Sequence, residues 1–505
     1  MREQLRRLGT DTATYGISTI VGRFLNFLLV PLYTNILLPA ELGIVTYVYS
    51  IIAFANVLYS YGMESAYFKY STSKELGSPK QNFSVPFISL FSTSILFSCI
   101  ILALHRPIAG ALNLDPGYHS VILYAAGIMA FDALAIIPFA SLRLERKAKL
   151  FAAIKVLNIL LNVALNIVLL VVLKMGVVGV FISGLAASGF TLILLLPTVF
   201  RHLSREAHMP LLKALLKFAL PYVPAGLATQ AIQVIDRPIM RSLTNDATVG
   251  IYQANYRLGI FMMLIVQMFD FAWRPFYFSI AGDSNAKQIF ARVLTYLVLL
   301  MSGIFLVLTL FIGDAVKISI LGHHLIHPAY WGGLSIVPIV LLAYLFLGVS
   351  NNFSAGIYIE KKTKYLPMIT FVGAIVNVAA NYLLIPSLGI VGAAWATLFA
   401  YLVMAIALYL TAQRVYPVAY EFGRLMKIGA AVAAVMVLYA AIPTDSMSIY
   451  AAAALKSALI VLFLALMYVM KFFAGSELSA LRSLFVKMKP ARTKADDTGE
   501  QLPLE

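Results

Sequence analysis

The sequence between residues 145 and 179 reads ERKAKLFAAIKVLNILLNVALNIVLLVVLKMGVVG, and its pattern returns 215 positions later. A basic patch leads into an apolar segment that carries Asn162 and Asn166, and two glycines follow. The second copy has the same order, with Asn377 and Asn381 in place of the first two asparagines. A long internal repeat of this kind predicts two similarly built halves.

A second set of residues recurs 207 positions later, and this 207-residue register supports the same division of the chain into two halves. It pairs Pro31, Gly43 and Ile44 with Pro238, Gly250 and Ile251. We therefore predict four segments: a first six-helix lobe at 1–212, a second six-helix lobe at 213–420, two further membrane helices at 421–474, and a polar cytoplasmic tail at 475–505.

The composition is that of a membrane protein. Of the 505 residues, 61% are hydrophobic and only 12% are charged, whereas soluble domains have roughly 25% charged residues. The net charge of +16 does not indicate nucleic-acid binding, because the basic residues lie in short gaps between apolar runs and form no continuous patch. The single cysteine, Cys99, excludes a disulfide framework.

A helix needs about 20 mostly apolar residues to cross a bilayer. By that rule we predict an all-α polytopic fold with about fourteen spans, at 12–38, 42–63, 84–105, 119–142, 150–173, 176–200, 214–240, 248–273, 289–312, 331–354, 366–387, 390–412, 425–442 and 449–473. Most basic residues fall in alternate loops, which predicts that both termini are cytoplasmic. Six spans per half make the halves parallel repeats, as in many secondary transporters.

Several charged and amide side chains fall inside predicted spans, where each costs at least ~2.5–3.5 kcal/mol and therefore suggests a function. The 207-residue register places the polar positions of spans one and seven over each other, as expected if both face one shared cavity. Those of span seven follow steps of three, four and four, so they share one helix face. The residues predicted to line this cationic, substrate-binding cavity are Arg23, Asn26, Lys155, Gln230, Gln233, Arg237, Arg241 and Arg257.

Two readings remain open for the fifth span. Lys155 either lines the cavity or extends to the cytoplasmic interface. An Asn-x-x-x-Asn pair occurs once in each half, beside small residues. Hydrogen bonds between helices are therefore the favoured role for these asparagine side chains.

Four acids lie within or beside predicted spans and are candidates for coupling to a proton or sodium gradient: Asp132, Asp236, Asp270 and Glu64. Each has the alternative role of neutralising a nearby arginine, and Asp270 with Arg274 suits an interfacial ion pair. The excess of arginine over acid predicts an anionic cargo, because the guanidinium group binds phosphate oxygens in a bidentate manner.

The sequence offers no sign of catalysis or of a cofactor. It contains no phosphate-binding glycine loop, no HExxH motif and no nucleophile elbow. His323, His324 and His327 have metal-like spacing, but no nearby cysteine or acid completes a ligand set, so we predict no metal site.

Several short motifs resemble those of a known family. They are Asp236-Arg237, the run 249–252 (VGIY), and the second Asn-x-x-x-Asn helix followed by 389–397 (GIVGAAWAT). They are similar to Wzx-type oligosaccharide flippases of the multidrug/oligosaccharidyl-lipid/polysaccharide (MOP) exporter superfamily. The resemblance implies a V-shaped pair of six-helix lobes in the bacterial inner membrane. It also implies an undecaprenyl-diphosphate-linked oligosaccharide as cargo, with glycosyltransferases and a glycan polymerase as partners.

Two other transporters and an enzyme are the alternatives. A lipid II flippase shares the fourteen spans and the cationic cavity. A cation-coupled multidrug exporter is disfavoured by spans thirteen and fourteen and by the arginine excess. A membrane-bound glycan polymerase is disfavoured because it usually needs a large outer loop.

Overall fold

Several helices begin at residues whose side chains satisfy the free N–H groups of the first turn. Ser78 Oγ accepts a hydrogen bond from the N–H of Gln81 (3.2 Å), and Gln81 Oε1 accepts one from the N–H of Ser78 (2.9 Å). Asn245 Oδ1 accepts a bond from the N–H of Thr248 (2.9 Å). These caps fall in the polar gaps between apolar runs, so the gaps set the helix boundaries.

The computed structural model describes residues 22, 25, 27–73, 75–204, 208–320, 322–443 and 447–473. The elements of the first half are α1 (Leu29–Ile36), α2 (Pro39–Ser60), α3 (Met63–Ser73), α4 (Pro79–Ala103), α5 (His105–Ala111), a 3₁₀ turn (Pro116–Tyr118), α6 (Ser120–Leu144), α7 (Ala148–Asn166), a π-helical segment (Ile167–Val172) and α8 (Gly176–His202).

The second half contains helices and one minimal sheet. Its elements are α9 (Met209–Ala219), α10 (Tyr222–Val234), α11 (Asp236–Leu243), α12 (Asp246–Tyr256), a 3₁₀ turn (Arg257–Gly259), α13 (Ile260–Ile280), α14 (Ala286–Lys317), β1 (Ser319–Ile320), β2 (His323–His324), a 3₁₀ helix (Pro328–Ile336), α15 (Val337–Ile359), α16 (Tyr365–Leu388) and α17 (Ile390–Val415). Strands β1 and β2 pair antiparallel, with Ser319 opposite His324. The chain continues with α18 (Phe422–Ala441) and α19 (Ile449–Val469).

Thirteen helical stretches within the described ranges are long and apolar enough to cross a membrane. They correspond to predicted spans two to fourteen, and about half of the predicted first span, 12–38, lies outside the described residues. The all-α polytopic fold expected from the sequence is therefore confirmed, and the chain is a multi-pass membrane protein.

The second predicted span, 42–63, ends where the chain turns at Gly62, whose φ of 71° is in the left-handed region that favours glycine, and α3 follows. The seventh is interrupted at Ile235, between α10 and α11. Gln230 and Gln233 therefore lie on a different helix from Arg237 and Arg241, which corrects the expectation of one continuous polar face.

Helix α16 shows how the chain meets lipid. Its exposed side chains include Met368, Phe371 and Leu383, whereas Asn377 and Asn381 are fully buried. An apolar outside with polar groups turned inward is the arrangement expected of a helix at the border of a membrane bundle.

The described residues form two compact units that divide between Tyr420 and Glu421. The second unit contains α18 and α19, which pack against each other. Arg424 links their ends, because its Nε donates to the carbonyl oxygen of Phe472 (3.0 Å) and its Nη1 contacts Glu421 (3.1 Å). The division of the first unit into two lobes near residue 212 stays a prediction, and the predicted tail, 475–505, lies outside the described residues.

Candidate functional site

The first unit contains a cavity of about 950 Å³, which is large enough for a drug-sized ligand or several sugar rings. Residues from α1, α2, α3, α6, α7, α8 and α10, together with Arg257 and Ile260, line it. Its polar and charged lining residues are Asn56, Ser60, Glu64, Asp132, Arg143, Lys155, Asn158, Asn162, Ser188, Thr191, Gln230 and Arg257. The first half of the chain therefore supplies most of the wall.

One face of α6 carries charge into this cavity. Asp132, Phe139 and Arg143 lie on this face and line the cavity, because their spacing brings them to one side of the helix. Asp132 Oδ1 accepts a hydrogen bond from Ser188 Oγ (2.7 Å). Arg143 forms an ion pair with Glu64, and both side chains are more than a third exposed. The charges of Arg143 and Glu64 thus neutralise each other at the end of α6 that meets the basic loop 145–149.

The two other cations of the cavity wall are Lys155 and Arg257, and both lie near aromatic rings. Lys155 Nζ lies 4.3 Å from the centre of the Phe139 ring, and Arg257 Cζ lies 6.0 Å from the centre of the Tyr33 ring. Among the described residues neither Lys155 nor Arg257 forms an ion pair. The cavity therefore holds two positive groups that an anionic ligand could neutralise.

An amide wall lies on α7 beside Lys155. Asn158 Nδ2 donates to the carbonyl oxygen of Ala187 (2.8 Å) and to Thr191 Oγ1 (2.7 Å). One turn later Asn162 also lines the cavity. The structure thus places Lys155 in the cavity wall, one of the two locations that the sequence left open.

The chain matches a family model described as "Polysaccharide biosynthesis protein" over residues 33–327, which is more than half of its length. It belongs to this family. No curated protein sequence matches it significantly.

Solved structures with the same fold are transporters of the MOP superfamily. The lipid II flippase MurJ, in an inward closed conformation, superposes with a TM-score of 0.68 at 16% identity, over 91% of this chain and 99% of MurJ. A multidrug resistance MATE family transporter in its inward-facing conformation gives a TM-score of 0.61 at 16% identity, over 78% of this chain and 94% of its own. A MOP superfamily transporter from Pyrococcus furiosus gives 0.59 at 14% identity, over 80% and 95%.

Arg237 does not line the cavity of this polysaccharide biosynthesis protein, which corrects the expectation from its depth in span seven. Its side chain is 6% exposed, and its Nη1 donates to Asp236 Oδ1 at 2.6 Å. Arg237 Nε also donates to Gln253 Oε1 (3.2 Å), and the Tyr256 ring lies 4.5 Å from its Cζ. The hydroxyl of Tyr252 donates to Asp236 Oδ2 (2.6 Å). Asp236 and Arg237 therefore satisfy each other inside the second half.

Of the other predicted residues of span seven, Gln230 lines the cavity. Gln233 is exposed and is not part of the cavity wall. Arg241 also lies outside the wall: it forms an ion pair with Asp246, donates to the carbonyl oxygen of Asn113 (2.9 Å), and packs over the Tyr47 ring.

Asp270 forms a two-bond ion pair with Arg274, at 3.1 Å and 3.0 Å, and neither residue lines the cavity. Of the four acids that were candidates for ion coupling, Asp132 and Glu64 are in the cavity wall. Arg23 and Asn26, predicted from span one, lie outside the described residues.

Sequence reasoning missed Arg143 and Asn56 as cavity residues, and it favoured hydrogen bonds between helices over a place in the cavity wall for Asn162. A signal for Arg143 is present, because it follows Asp132 by about three helical turns, one residue past the end of the predicted span 119–142. Asn56 gives no comparable signal, because it is isolated in an apolar helix whose polar partners come from other parts of the chain.

No three His, Cys, Asp or Glu side chains come close enough to hold a metal ion within the described ranges. His324 and His327 are engaged locally: a ring nitrogen of His324 contacts the carbonyl oxygen of Lys317 (2.9 Å), and His327 Nδ1 accepts a bond from the N–H of Ala329 (3.3 Å).

Proposed function

We propose that this protein is a flippase that moves undecaprenyl-diphosphate-linked oligosaccharides across the bacterial inner membrane by alternating access. The cargo would serve assembly of O-antigen, capsule or exopolysaccharide. Membership of the polysaccharide biosynthesis protein family and a fold shared with MOP transporters support this function. The observation that carries it is the presence of Arg257 and Lys155 in one cavity, each without an ion-pair partner among the described residues.

An unpaired cation at membrane depth is costly, so its retention needs a reason. A diphosphate supplies several acceptor oxygens, and hydrogen bonds between charged partners contribute more than neutral ones. The guanidinium of Arg257 stays charged at any physiological pH and can contact two phosphate oxygens together. Lys155 adds a second, point-like positive charge. A cationic drug would be repelled by the same groups.

Asp132 is the acid that best fits a role in coupling to a proton or sodium gradient. It lines the cavity and accepts a hydrogen bond from Ser188 (2.7 Å), whereas Glu64, Asp236 and Asp270 each form an ion pair with an arginine. A coupling ion must bind and leave during each cycle, and an acid already held by an arginine is poorly suited to that.

The proposal includes the cellular setting. Both termini would lie in the cytoplasm, and the end of the cavity near Arg143 would receive cargo from the cytoplasmic leaflet. Membrane-associated glycosyltransferases would supply the cargo and a glycan polymerase would use it after transport. The protein would act as a transporter and not as an enzyme, and it would need no organic cofactor.

A lipid II flippase is the second candidate, because lipid II also carries a diphosphate and the chain shares the fold of MurJ over 91% of its length. The two functions differ in the glycan and not in the head group. Rescue of peptidoglycan synthesis in cells depleted of their own lipid II flippase would favour this candidate over the first.

Binding to a purified polyprenyl diphosphate tests the function directly. We expect the full-length protein in lipid nanodiscs to bind undecaprenyl diphosphate, and Arg257→Ala to weaken binding by on the order of 10–100-fold, the effect of losing hydrogen bonds to a charged group. In cells that lack the native gene, the same variant should fail to restore surface glycan while still being present in the membrane.

Arg414→Ala is the matched control, because Arg414 is an exposed arginine that does not line the cavity. It should bind and complement like the natural protein. Equal binding by the Arg257→Ala variant and the natural protein would overturn the proposed role of the cavity.

A further inference from the structure

Asn158 and Asn162 on α7 differ in which side-chain amide atom has no hydrogen-bond partner among the described residues. Asn158 Nδ2 uses both of its hydrogens, on the carbonyl oxygen of Ala187 (2.8 Å) and on Thr191 Oγ1 (2.7 Å). Because the Ala187 carbonyl can only accept, the atom facing it must be the nitrogen. The Oδ1 atom of Asn158 is therefore a fixed acceptor in the cavity wall, with no partner among the described residues.

Asn162 is fixed in the opposite sense. Asn166 Nδ2 donates to the Asn162 carbonyl oxygen (2.8 Å) and to Asn162 Oδ1 (2.9 Å), while Tyr33 OH donates to Asn166 Oδ1 (2.9 Å). The backbone carbonyl again identifies the donor, so the bond to the Asn162 side chain must occupy its oxygen. Asn162 Nδ2 is left as a donor in the cavity wall, with no bond to any described residue.

The same motif in the second half is not available to a ligand. Asn381 Nδ2 donates to the Asn377 carbonyl oxygen (2.8 Å) and to Asn377 Oδ1 (3.1 Å), as in the first half. Both of these asparagines are fully buried, and neither lines the cavity. The repeat therefore keeps the internal geometry of the pair, and the first half alone turns it towards the cavity.

We propose that Asn158 and Asn162 bind the acetamido group of the sugar attached directly to the diphosphate. This inference rests on the proposed function. The two residues are one turn apart, about 6 Å along the helix. A planar amide with hydrogen bonds of about 2.9 Å on its two opposite edges needs partners on the order of 6–8 Å apart. The acetamido N–H donates to Asn158 Oδ1, and its C=O accepts from Asn162 Nδ2.

The position of Lys155 determines which sugar is read. Lys155 precedes Asn158 by three residues, so it lies about 4.5 Å away along the same helix face. A phosphate held by Lys155 places the first sugar, and not a later one, against the two asparagines. A hexose without an acetamido group has a hydroxyl in its place. The donor and acceptor of a hydroxyl are on one oxygen atom, so it cannot easily bond to Asn158 and Asn162 together.

The experiment compares three carriers on the full-length protein in nanodiscs: undecaprenyl diphosphate, the same carrier with N-acetylglucosamine, and the same carrier with glucose. We expect the natural protein to bind the N-acetylglucosamine carrier about tenfold more tightly than the glucose carrier, the effect of two additional hydrogen bonds. Asn158→Leu and Asn162→Leu should each bring this ratio towards one while leaving the affinity for the bare carrier unchanged. Asn56→Leu removes another cavity amide and should keep the ratio.

The outcomes separate this inference from the function on which it rests. If none of the three carriers binds, the proposed function fails. If the natural protein binds all three equally, or if Asn56→Leu abolishes the ratio as strongly as Asn158→Leu, the asparagine pair does not read the sugar, although the flippase function stands.

Discussion

Gly43 and Gly250 lie where α2 and α12 cross, and each glycine contacts the backbone of the other helix. A Cβ added to Gly43 would overlap the carbonyl oxygen of Asp246, and one added to Gly250 would overlap the carbonyl oxygen of Pro39. The second of these carbons would also lie 3.0 Å from the backbone nitrogen of Gly43. The repeat places these two glycines at equivalent positions, so the halves meet through a symmetric contact that only small residues permit.

We expect Gly250→Ala to lower the thermal stability of the protein, because overpacking at a backbone contact costs about 1–3 kcal/mol. Gly313→Ala is the matched control, since a Cβ at Gly313 would meet no atom within 4 Å and alanine is the better helix former. Melting curves of the two variants in one detergent should move in opposite directions. A melting temperature lowered equally in both would show that the crossing is not tight.

The same end of the bundle is held by a buried hydrogen bond between the halves. Tyr330 is fully buried, and its hydroxyl donates to the carbonyl oxygen of Leu37 (2.8 Å). Tyr330→Phe should cost about 1–3 kcal/mol of unfolding free energy, because the Leu37 carbonyl loses its partner away from water. Tyr382→Phe changes an exposed tyrosine of α16 and should leave the melting temperature unchanged.

Much of this fold could be predicted from the sequence because the bilayer imposes a simple rule on it. Runs of apolar residues and the two repeat registers locate thirteen described spans, and the capped polar gaps set their ends. The interruption at Ile235 was not predicted, because the predicted span 214–240 extends through Asp236 and Arg237 into the short helix α11. Hydropathy measures only whether a segment can lie in lipid and does not show whether its helix is continuous.

The cavity was predictable only in part. Lys155, Gln230 and Arg257 lie in its wall and Arg237 does not, and binding of substrate by any of them stays a prediction. Charge at membrane depth identifies a residue that needs a partner, but the partner of Arg237 is its sequence neighbour Asp236. Whether such a pair is buried together or open to a cavity depends on packing, here by Tyr252 and Tyr256 of the next helix, α12.

Glu64 moderates the positive charge of the cavity through its ion pair with Arg143. Both side chains are partly exposed, so the pair contributes little and can exchange partners. We expect Glu64→Gln to tighten binding of undecaprenyl diphosphate by on the order of 2–5-fold, because it removes one negative charge from the cavity wall. The exposed Glu360 is the control: Glu360→Gln removes the same charge away from the cavity. Similar tightening by both variants would point to net charge as the cause.

Glu145 lies in the loop between α6 and α7 and is held from three sides. Ser141 Oγ donates to Glu145 Oε1 (2.9 Å), Lys147 Nζ lies 2.6 Å from Oε2, and His202 Nε2 lies 3.0 Å from Oε1. Partial burial opposes ionisation, but the bonds from Lys147 and Ser141 outweigh it and lower the pKa of Glu145. Because the pKa of Glu145 is lowered in the folded state, its carboxylate stabilises the protein at pH values above 4.5, the ordinary pKa of a glutamate.

That stabilisation should be lost as the pH falls through the lowered pKa of Glu145. The Glu145→Gln variant should therefore melt below the natural protein near pH 7, and the difference should shrink once the pH is well below 4.5. Melting temperatures measured from pH 3 to pH 7 check this expectation. A gap that stays constant over the whole range would mean that the charge of Glu145 is not what stabilises the loop.

Arg237 and Arg257 should respond differently to mutation although both are arginines within the second half. Arg237→Leu leaves Asp236 buried without its counter-ion, which we expect to cost about 3–5 kcal/mol and to reduce the amount of folded protein. Asp236→Leu combined with Arg237→Leu removes both charges and should recover most of that loss, because a buried ion pair exchanged for apolar side chains is often neutral. Arg257→Ala, by contrast, should keep the melting temperature and lose diphosphate binding. If Arg237→Leu is as stable as the natural protein and loses binding alone, then Arg237 reaches the cargo in another conformation of the transport cycle, and its burial beside Asp236 describes only one state.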